Sequence, residues 1–173
     1  MYKCLIATGC RLKYNNGKGV AIMKLLISIL LPLVVGGVSG ALTADHVAVY
    51  ETLIKPSLAP APLVFPIVWT ILYILMGISS YKIYTAEAEQ GVKKRALILY
   101  ALQLAVNFIW PIVFFNQQNY GAALILLLFL IVLVVETILA FYPIDKAAAW
   151  LLVPYLVWLC FAAYLNLSIW MFN

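Results

Sequence analysis

One histidine, three cysteines and six acidic side chains are spread through 173 residues. That scarcity excludes several chemistries. His46 stands alone, so neither a Ser/His/Asp triad nor axial haem ligation within an apolar segment can be assembled. Cys4 and Cys10 lie near the N-terminus and Cys160 in an apolar run. They give no disulfide framework, and with one histidine they cannot complete a zinc site. No glycine-rich phosphate loop is present. Charged residues make up 10% of the chain, against about 25% in a soluble domain. The basic residues flank apolar runs instead of lining a groove, so nucleic acid is not an expected partner.

What the chain has in abundance is apolar surface: 66% hydrophobic residues and a mean hydropathy of +1.07. Its long apolar runs fit helices that cross a bilayer and do not fit the weak alternation of barrel strands. Five spans are predicted, over 25–44, 63–84, 96–115, 120–141 and 147–170. The expected fold class is therefore an all-α integral membrane protein, a five-transmembrane-helix bundle. Only Asn116-Gln117-Gln118-Asn119 separate the third and fourth spans, which must be antiparallel neighbours. The longest connection, 45–62, carries Pro56, Pro60 and Pro62. These disfavour continuous helix and stiffen the segment into a lid over one end of the bundle.

Ten of the eleven basic residues belong to one side: Lys3, Arg11, Lys13, Lys18, Lys24, Lys82, Lys93, Lys94, Arg95 and Lys146. Lys55 alone belongs to the other. The positive-inside rule then puts the N-terminus in the cytoplasm, and the C-terminus and lid outside. Residues 1–22 are polar and basic, unlike 23–173, and precede Met23-Lys24-Leu25. Gly17-Lys18-Gly19-Val20 is encodable by a purine-rich run of the kind that binds a bacterial ribosome. Translation is thus expected to begin at Met23, with 1–22 an extension outside the membrane domain. Detecting 1–22 in the natively expressed protein by mass spectrometry would overturn that expectation.

Within the third span, Asn107, Trp110, Pro111 and Phe114 follow i, i+3, i+4, i+7 and share a face. Lipid offers an amide no partner, and proline frees a backbone carbonyl, so this face is expected to look inward. Trp69, Tyr73 and Gly77 share a face of the second span, and Trp158, Ala162, Leu165 and Asn166 share one of the fifth. Three such faces would line an aromatic cavity with a few directed polar groups. The same residues also suit helix packing and cross-helix hydrogen bonds. Trp150 and Trp170, near span ends, are expected in the interfacial belt. Glu136, deep in the fourth span, is by default a functional candidate as a buried carboxyl, although a position nearer an interface would make it unremarkable in function.

In order along the chain, Tyr50-Glu51-Thr52-Leu53-Ile54-Lys55-Pro56-Ser57, Pro66-Ile67-Val68-Trp69-Thr70-Ile71-Leu72-Tyr73, Asn107-Phe108-Ile109-Trp110-Pro111, Pro154-Tyr155-Leu156-Val157-Trp158 and Phe161-Ala162-Ala163-Tyr164-Leu165-Asn166 resemble the translocator protein family. Its members are also called tryptophan-rich sensory proteins or peripheral-type benzodiazepine receptors. The resemblance implies a homodimeric five-helix bundle whose pocket is closed by the first loop. The implied ligands are porphyrins such as protoporphyrin IX and isoquinoline carboxamide or benzodiazepine-type molecules, with no obligatory cofactor or metal. It assigns Trp69, Asn107 and Trp110 to the pocket from the second and third helices, and Trp158, Ala162 and Leu165 from the fifth, with Tyr50 in the lid. Trp69 and Asn107 become the implied donors to a ligand oxygen. If the protein degrades porphyrin in light, Trp69 and Trp158 are the redox-active indoles.

Two departures matter. Val49 replaces the tryptophan that many members have before the lid tyrosine. The C-terminal segment Leu167-Ser168-Ile169-Trp170-Met171-Phe172-Asn173 has no tyrosine followed by a basic residue, so a sterol-recognition pattern is missing. A bacterial plasma membrane fits that absence. The expected function is a membrane receptor or sensor for porphyrins. The alternatives are a light-dependent porphyrin-degrading enzyme and a porphyrin transporter, the latter disfavoured by the lack of an inverted repeat or coupling-ion residues.

Overall fold

The computed structural model describes the backbone of residues 2–46, 50 and 52–173, and side chains from residue 19 onward within those. The departure at Val49 and the side chains of Cys4 and Cys10 lie outside the described residues. The bundle is built from α1 (Tyr2–Thr43), α2 (Val64–Thr85), α3 (Gln90–Pro111), α4 (Tyr120–Phe141), the short α5 (Lys146–Leu151) and α6 (Val153–Phe172). A 3₁₀ turn at Ala44–His46 follows α1, and a π-helical turn at Ile112–Asn116 continues α3. No strand occurs among the described residues. Five segments are long and apolar enough to span a bilayer: Gly19–His46, Val64–Thr85, Gln90–Asn116, Tyr120–Phe141 and Lys146–Phe172. The chain is a multi-pass, all-helical membrane protein.

The elements end where local chemistry stops them. Asn119 accepts from the Ala122 N–H at 3.1 Å and starts α4. Asp145 accepts from the Ala148 N–H at 2.9 Å and starts α5. Each satisfies a donor that the first helical turn leaves unpaired. Pro143 cannot continue the α4 ladder, and that helix closes at Phe141. The connection between α3 and α4 is tight enough to force Gln118 to a φ of 51°. Helix boundaries differ from the expected spans in two ways. The third helix starts at Gln90, not at residue 96, because helix continues through Lys93-Lys94-Arg95 at the membrane interface, where hydropathy drops but backbone pairing does not. The fifth span is broken at Leu152, where Pro154 removes a donor and α6 restarts.

α1 packs mainly on α2, α3 on α4, and α4 on α6. The closest approach is at Gly77. A Cβ there would stand 2.5 Å from Ile29 Cα and 2.7 Å from the Ser28 carbonyl oxygen. Pro32 has no N–H, so that same Ser28 carbonyl lacks its helical donor and turns to the bare Gly77 backbone. Large aliphatic residues such as Leu30, Ile71, Ile125 and Leu139 cover the outside, as lipid contact requires.

Glu136 corrects one expectation. It is exposed on the outer face of α4, not buried in the bundle, and lies five residues from that helix's end at Phe141. At about 1.5 Å per residue it sits within reach of the headgroup region, where a carboxylate can stay hydrated. The bundle core around α4 is instead apolar, with Leu127, Leu130 and Val134 buried. Trp150 and Trp170, at 65% and 54% exposure near the two ends of the last span, occupy positions suited to interfacial anchoring. Cys160 is a free, exposed thiol on α6.

Candidate functional site

A cavity of about 560 Å³ lies at the lid end of the bundle. That is within the roughly 300–1,000 Å³ range of small-molecule sites. Trp69, Asn107, Trp110, Trp158, Ala162 and Leu165 line it, and Tyr50 reaches it from the lid segment. All seven expected ligand-binding residues thus meet at one cavity. Trp69 and Trp158, the indoles expected to carry any photochemistry, both face it.

A buried hydrogen-bond chain forms its floor. The Tyr73 hydroxyl donates to Asn107 Oδ1 at 2.8 Å, and Asn107 Nδ2 donates to the Tyr155 hydroxyl at 2.9 Å. Asn107 is 3% exposed and Tyr155 fully buried. The asparagine amide, one acceptor and two donors on one rigid plane, ties α2, α3 and α6 together while keeping one N–H uncommitted to the two tyrosines. Tyr73 can reach this position because of Gly36. Its ring occupies the space that a Cβ on Gly36 would take. The Trp69 ring stacks on Tyr73 at 5.4 Å between centroids and meets Tyr155 edge-on at 6.1 Å. The indole is therefore held by aromatic neighbours on two sides.

The wall from α3 is shaped by Pro111. Without an N–H, Pro111 leaves the Asn107 carbonyl without its helical donor. The next amide, Ile112, turns to the Ile109 carbonyl. That releases the Phe108 carbonyl, which accepts from Ser39 Oγ at 2.9 Å. The wider turn follows, with the Gln117 N–H donating to the Ile112 carbonyl at 3.1 Å. In this π turn both Phe114 and Phe115 face the cavity. Regular helical spacing predicted Phe114 on this face and not Phe115; the departure from α-helix accounts for the extra ring. Trp110 stacks on Phe114 at 5.1 Å, and its Nε1 donates to Asn166 Oδ1 at 3.3 Å. Asn166 Nδ2 in turn donates to the Tyr120 carbonyl at 2.8 Å.

Sequence reasoning missed the α1 wall. Gly36, Gly37, Ser39, Gly40 and Thr43 all line the cavity. The signal was the small-residue run Gly36-Gly37-Val38-Ser39-Gly40, which permits close approach and leaves room beside the backbone. It also missed Phe65, which meets Trp158 edge-on at 6.0 Å.

Two lining residues, Tyr50 and Trp158, each carry a buried polar atom without a partner. Trp158 Nε1 is buried and has no hydrogen-bond partner. An indole donor sealed in an apolar wall without an acceptor costs about 1–3 kcal/mol. Among the described residues no cluster of histidine, cysteine or carboxylate side chains suits a metal ion.

A multi-pass helical bundle with an aromatic cavity between its helices is a polytopic membrane protein with an internal pocket. The sequence pattern of the TspO/MBR family matches residues 28–171, and the chain belongs to that family. It is 39% identical over 153 residues to the tryptophan-rich protein TspO of Chlorobaculum tepidum, covering 88% of this chain and 97% of that one. Identity is 38% over 117 residues to the tryptophan-rich sensory protein of Cereibacter sphaeroides, with 68% and 72% covered. It is 39% over 127 residues to the human translocator protein, with 72% and 74% covered.

Proposed function

We propose that this protein is a membrane receptor or sensor that binds a flat, conjugated, largely apolar ligand in the Trp69/Trp110/Trp158 cavity. Porphyrins such as protoporphyrin IX are the favoured class, and isoquinoline carboxamide or benzodiazepine-type molecules would enter the same space. Indole and phenyl faces stack on conjugated rings, and the cavity wall is predominantly aromatic and aliphatic. The observation that carries the reading is the unpartnered Trp158 Nε1 in that wall. It is a donor already desolvated, so a ligand carbonyl or carboxylate that reaches it as the side chains around the indole adjust gains the bond without a further desolvation cost on that N–H. Relatives with names such as translocator protein and tryptophan-rich sensory protein support the same class of role. The distribution of lysine and arginine supports a plasma-membrane orientation with the lid outside.

A titration of the porphyrin Soret band with purified protein tests it. Saturable, single-site binding is expected for the wild type. Trp158→Phe keeps an aromatic ring but removes the donor with the rest of the pyrrole ring, and should weaken binding at least about 3- to 10-fold, the worth of one neutral hydrogen bond. Non-saturable partitioning in the wild type, or equal affinity in the variant, would count against this assignment.

A further inference from the structure

We propose that a groove between α2 and α3, at the basic end of the bundle, binds an anionic membrane phospholipid. Lys93 and Lys94 hold the headgroup, and an acyl chain lies along α3. The site is separate from the aromatic cavity and does not depend on what that cavity takes.

The groove has a volume of about 390 Å³. Its α3 side is formed by Gln90, Lys93, Lys94, Leu97, Ile98 and Ala101. These positions follow i, i+3, i+4, i+7, i+8, i+11 and make one stripe along the helix. The stripe changes character once. It is polar and cationic through Lys94 and apolar from Leu97 onward, and Ala101 lies about 10 Å beyond Lys94 along the axis. Tyr84, from the last turn of α2, forms the other side. Tyr84 is 52% and Ile98 49% exposed on the outer surface of the bundle, whereas Ala96 and Tyr100 on the same helix turn inward. A cationic mouth at headgroup depth with an apolar channel running into the hydrocarbon region is the pattern of an amphiphile. A soluble anion would use the mouth alone; a phospholipid uses both parts.

The cations are placed and unspent. Lys93 Nζ donates to the Ala86 carbonyl, just past the end of α2, at 2.8 Å. An ammonium has three donors, so two remain for a phosphate. Lys94 is exposed. Neither lysine is in an ion pair among the described residues, whose salt bridge joins Lys82 to Asp145. Lys24 of α1 adds a third ammonium, 5.4 Å from the centroid of the Tyr84 ring. The carboxylates of the α2–α3 connection are Glu87 and Glu89, both exposed to water. Three ammonium groups against two solvated carboxylates leave the mouth positive, and each such cation near a membrane surface favours an anionic lipid by about fivefold.

Native mass spectrometry of the full chain in detergent, titrated with phosphatidylglycerol or phosphatidylcholine, tests the site. The first phosphatidylglycerol should bind at least about tenfold more tightly than the first phosphatidylcholine. Lys93→Met and Lys94→Met should each lower phosphatidylglycerol affinity about fivefold and leave phosphatidylcholine unchanged, and Lys94→Arg should retain the preference. Lys146→Met removes a charge from the same end of the bundle but outside the groove, and should leave the preference intact. Ala101→Trp fills the apolar channel on an exposed face of α3 and should weaken phosphatidylglycerol several-fold with every lysine in place. Equal affinity of the wild type for the two lipids overturns the site. So does an equal loss in Lys146→Met and Lys94→Met, or an unchanged affinity in Ala101→Trp, since either marks a diffuse basic surface. Displacement of the lipid by glycerol phosphate at matching concentration overturns it too, because that marks a soluble-anion site with no use for the channel.

Discussion

The two halves of α2 behave differently although they lie on one continuous helix. Toward the lid, Phe65, Trp69 and Tyr73 face an open cavity. Toward the basic end, Met76, Ser79 and Ile83 are fully buried, and Ser79 Oγ donates to the Ala148 carbonyl at 2.7 Å. Gly77 marks the change, where α1 touches the α2 backbone. Below it, small residues and aliphatic side chains let the helices close up, with Ala96 and Ala148 at zero exposure. Above it, rings too large and too rigid to interdigitate prop the helices apart. A hydrogen-bonded asparagine and a π turn hold that opening. The lesson is that the packed half clamps the helices so that the other half can stay hollow. A cavity lined by large apolar groups gives up dispersion contacts that the tight half supplies.

Breaking the clamp should have the largest effect. Gly77→Val places a branched side chain where the nearest atoms are α1 backbone, which cannot move aside as a flexible side chain would. Overpacking costs about 1–3 kcal/mol in an ordinary core, and the upper end or more is expected here. Thermal unfolding in detergent should show a drop of many degrees, with ligand binding lost because the α1 wall shifts. A tolerated Gly77→Val would mean the two halves are not mechanically linked.

Removing the cavity floor comes next. Asn107→Ala deletes both bonds to the tyrosines and strands the Tyr73 and Tyr155 hydroxyls in an apolar core. A stability loss of about 2–4 kcal/mol is expected, summed from unsatisfied buried groups. Tyr155→Phe, which removes one bond and leaves the Tyr73 bond in place, should cost about 1 kcal/mol. Equal losses would show that the chain fails as one unit when either link is cut, not as two separable bonds, and a denaturant series on both variants distinguishes the cases.

The smallest effect sharpens the comparison from the basic end. Lys82 Nζ lies 2.9 Å from Asp145 Oδ2, and both side chains are partly exposed. The hydrogen bond from Lys82, aided by the backbone N–H of Ala148, holds the Asp145 carboxyl below its ordinary value. A lowered folded-state value means the stabilisation is present above the unfolded carboxylate range, near pH 4, and disappears as pH falls through the depressed value. Asp145→Asn keeps a capping oxygen but not the charge. It should cost under about 1 kcal/mol at neutral pH, because a partly exposed pair is screened, and should flatten the acid limb of the stability profile. A loss at neutral pH as large as that of Asp145→Ala, which removes the cap as well, would show that the charge outweighs the cap.

Much of this was legible in the residues. Hydropathy located five spans, and the i, i+3, i+4, i+7 spacing put Asn107, Trp110, Pro111 and Phe114 on one face. The break at Leu152 and the second ring at Phe115 were not visible, because both follow from how proline rearranges the carbonyls around it. Glu136 could not be placed from hydropathy, which measures depth along a helix and not the direction a side chain takes around it.

The family motifs pointed to the cavity residues of α2, α3 and α6, but the wall from α1 emerged only from packing. A run of glycines says that something comes close; that the Tyr73 ring does so at Gly36 is a property of three-dimensional neighbours. The sequence by itself determined a five-span membrane bundle, its basic end and the aromatic inventory of its helices, because these depend on transfer energies and helical period. Only the tertiary structure decided which donors are spent and which remain. Asn107 is engaged by two tyrosines, whereas Trp158 Nε1 and the Tyr50 hydroxyl are buried without partners. Hydrogen bonding is set by distance and direction between helices, and neither is written along a single chain.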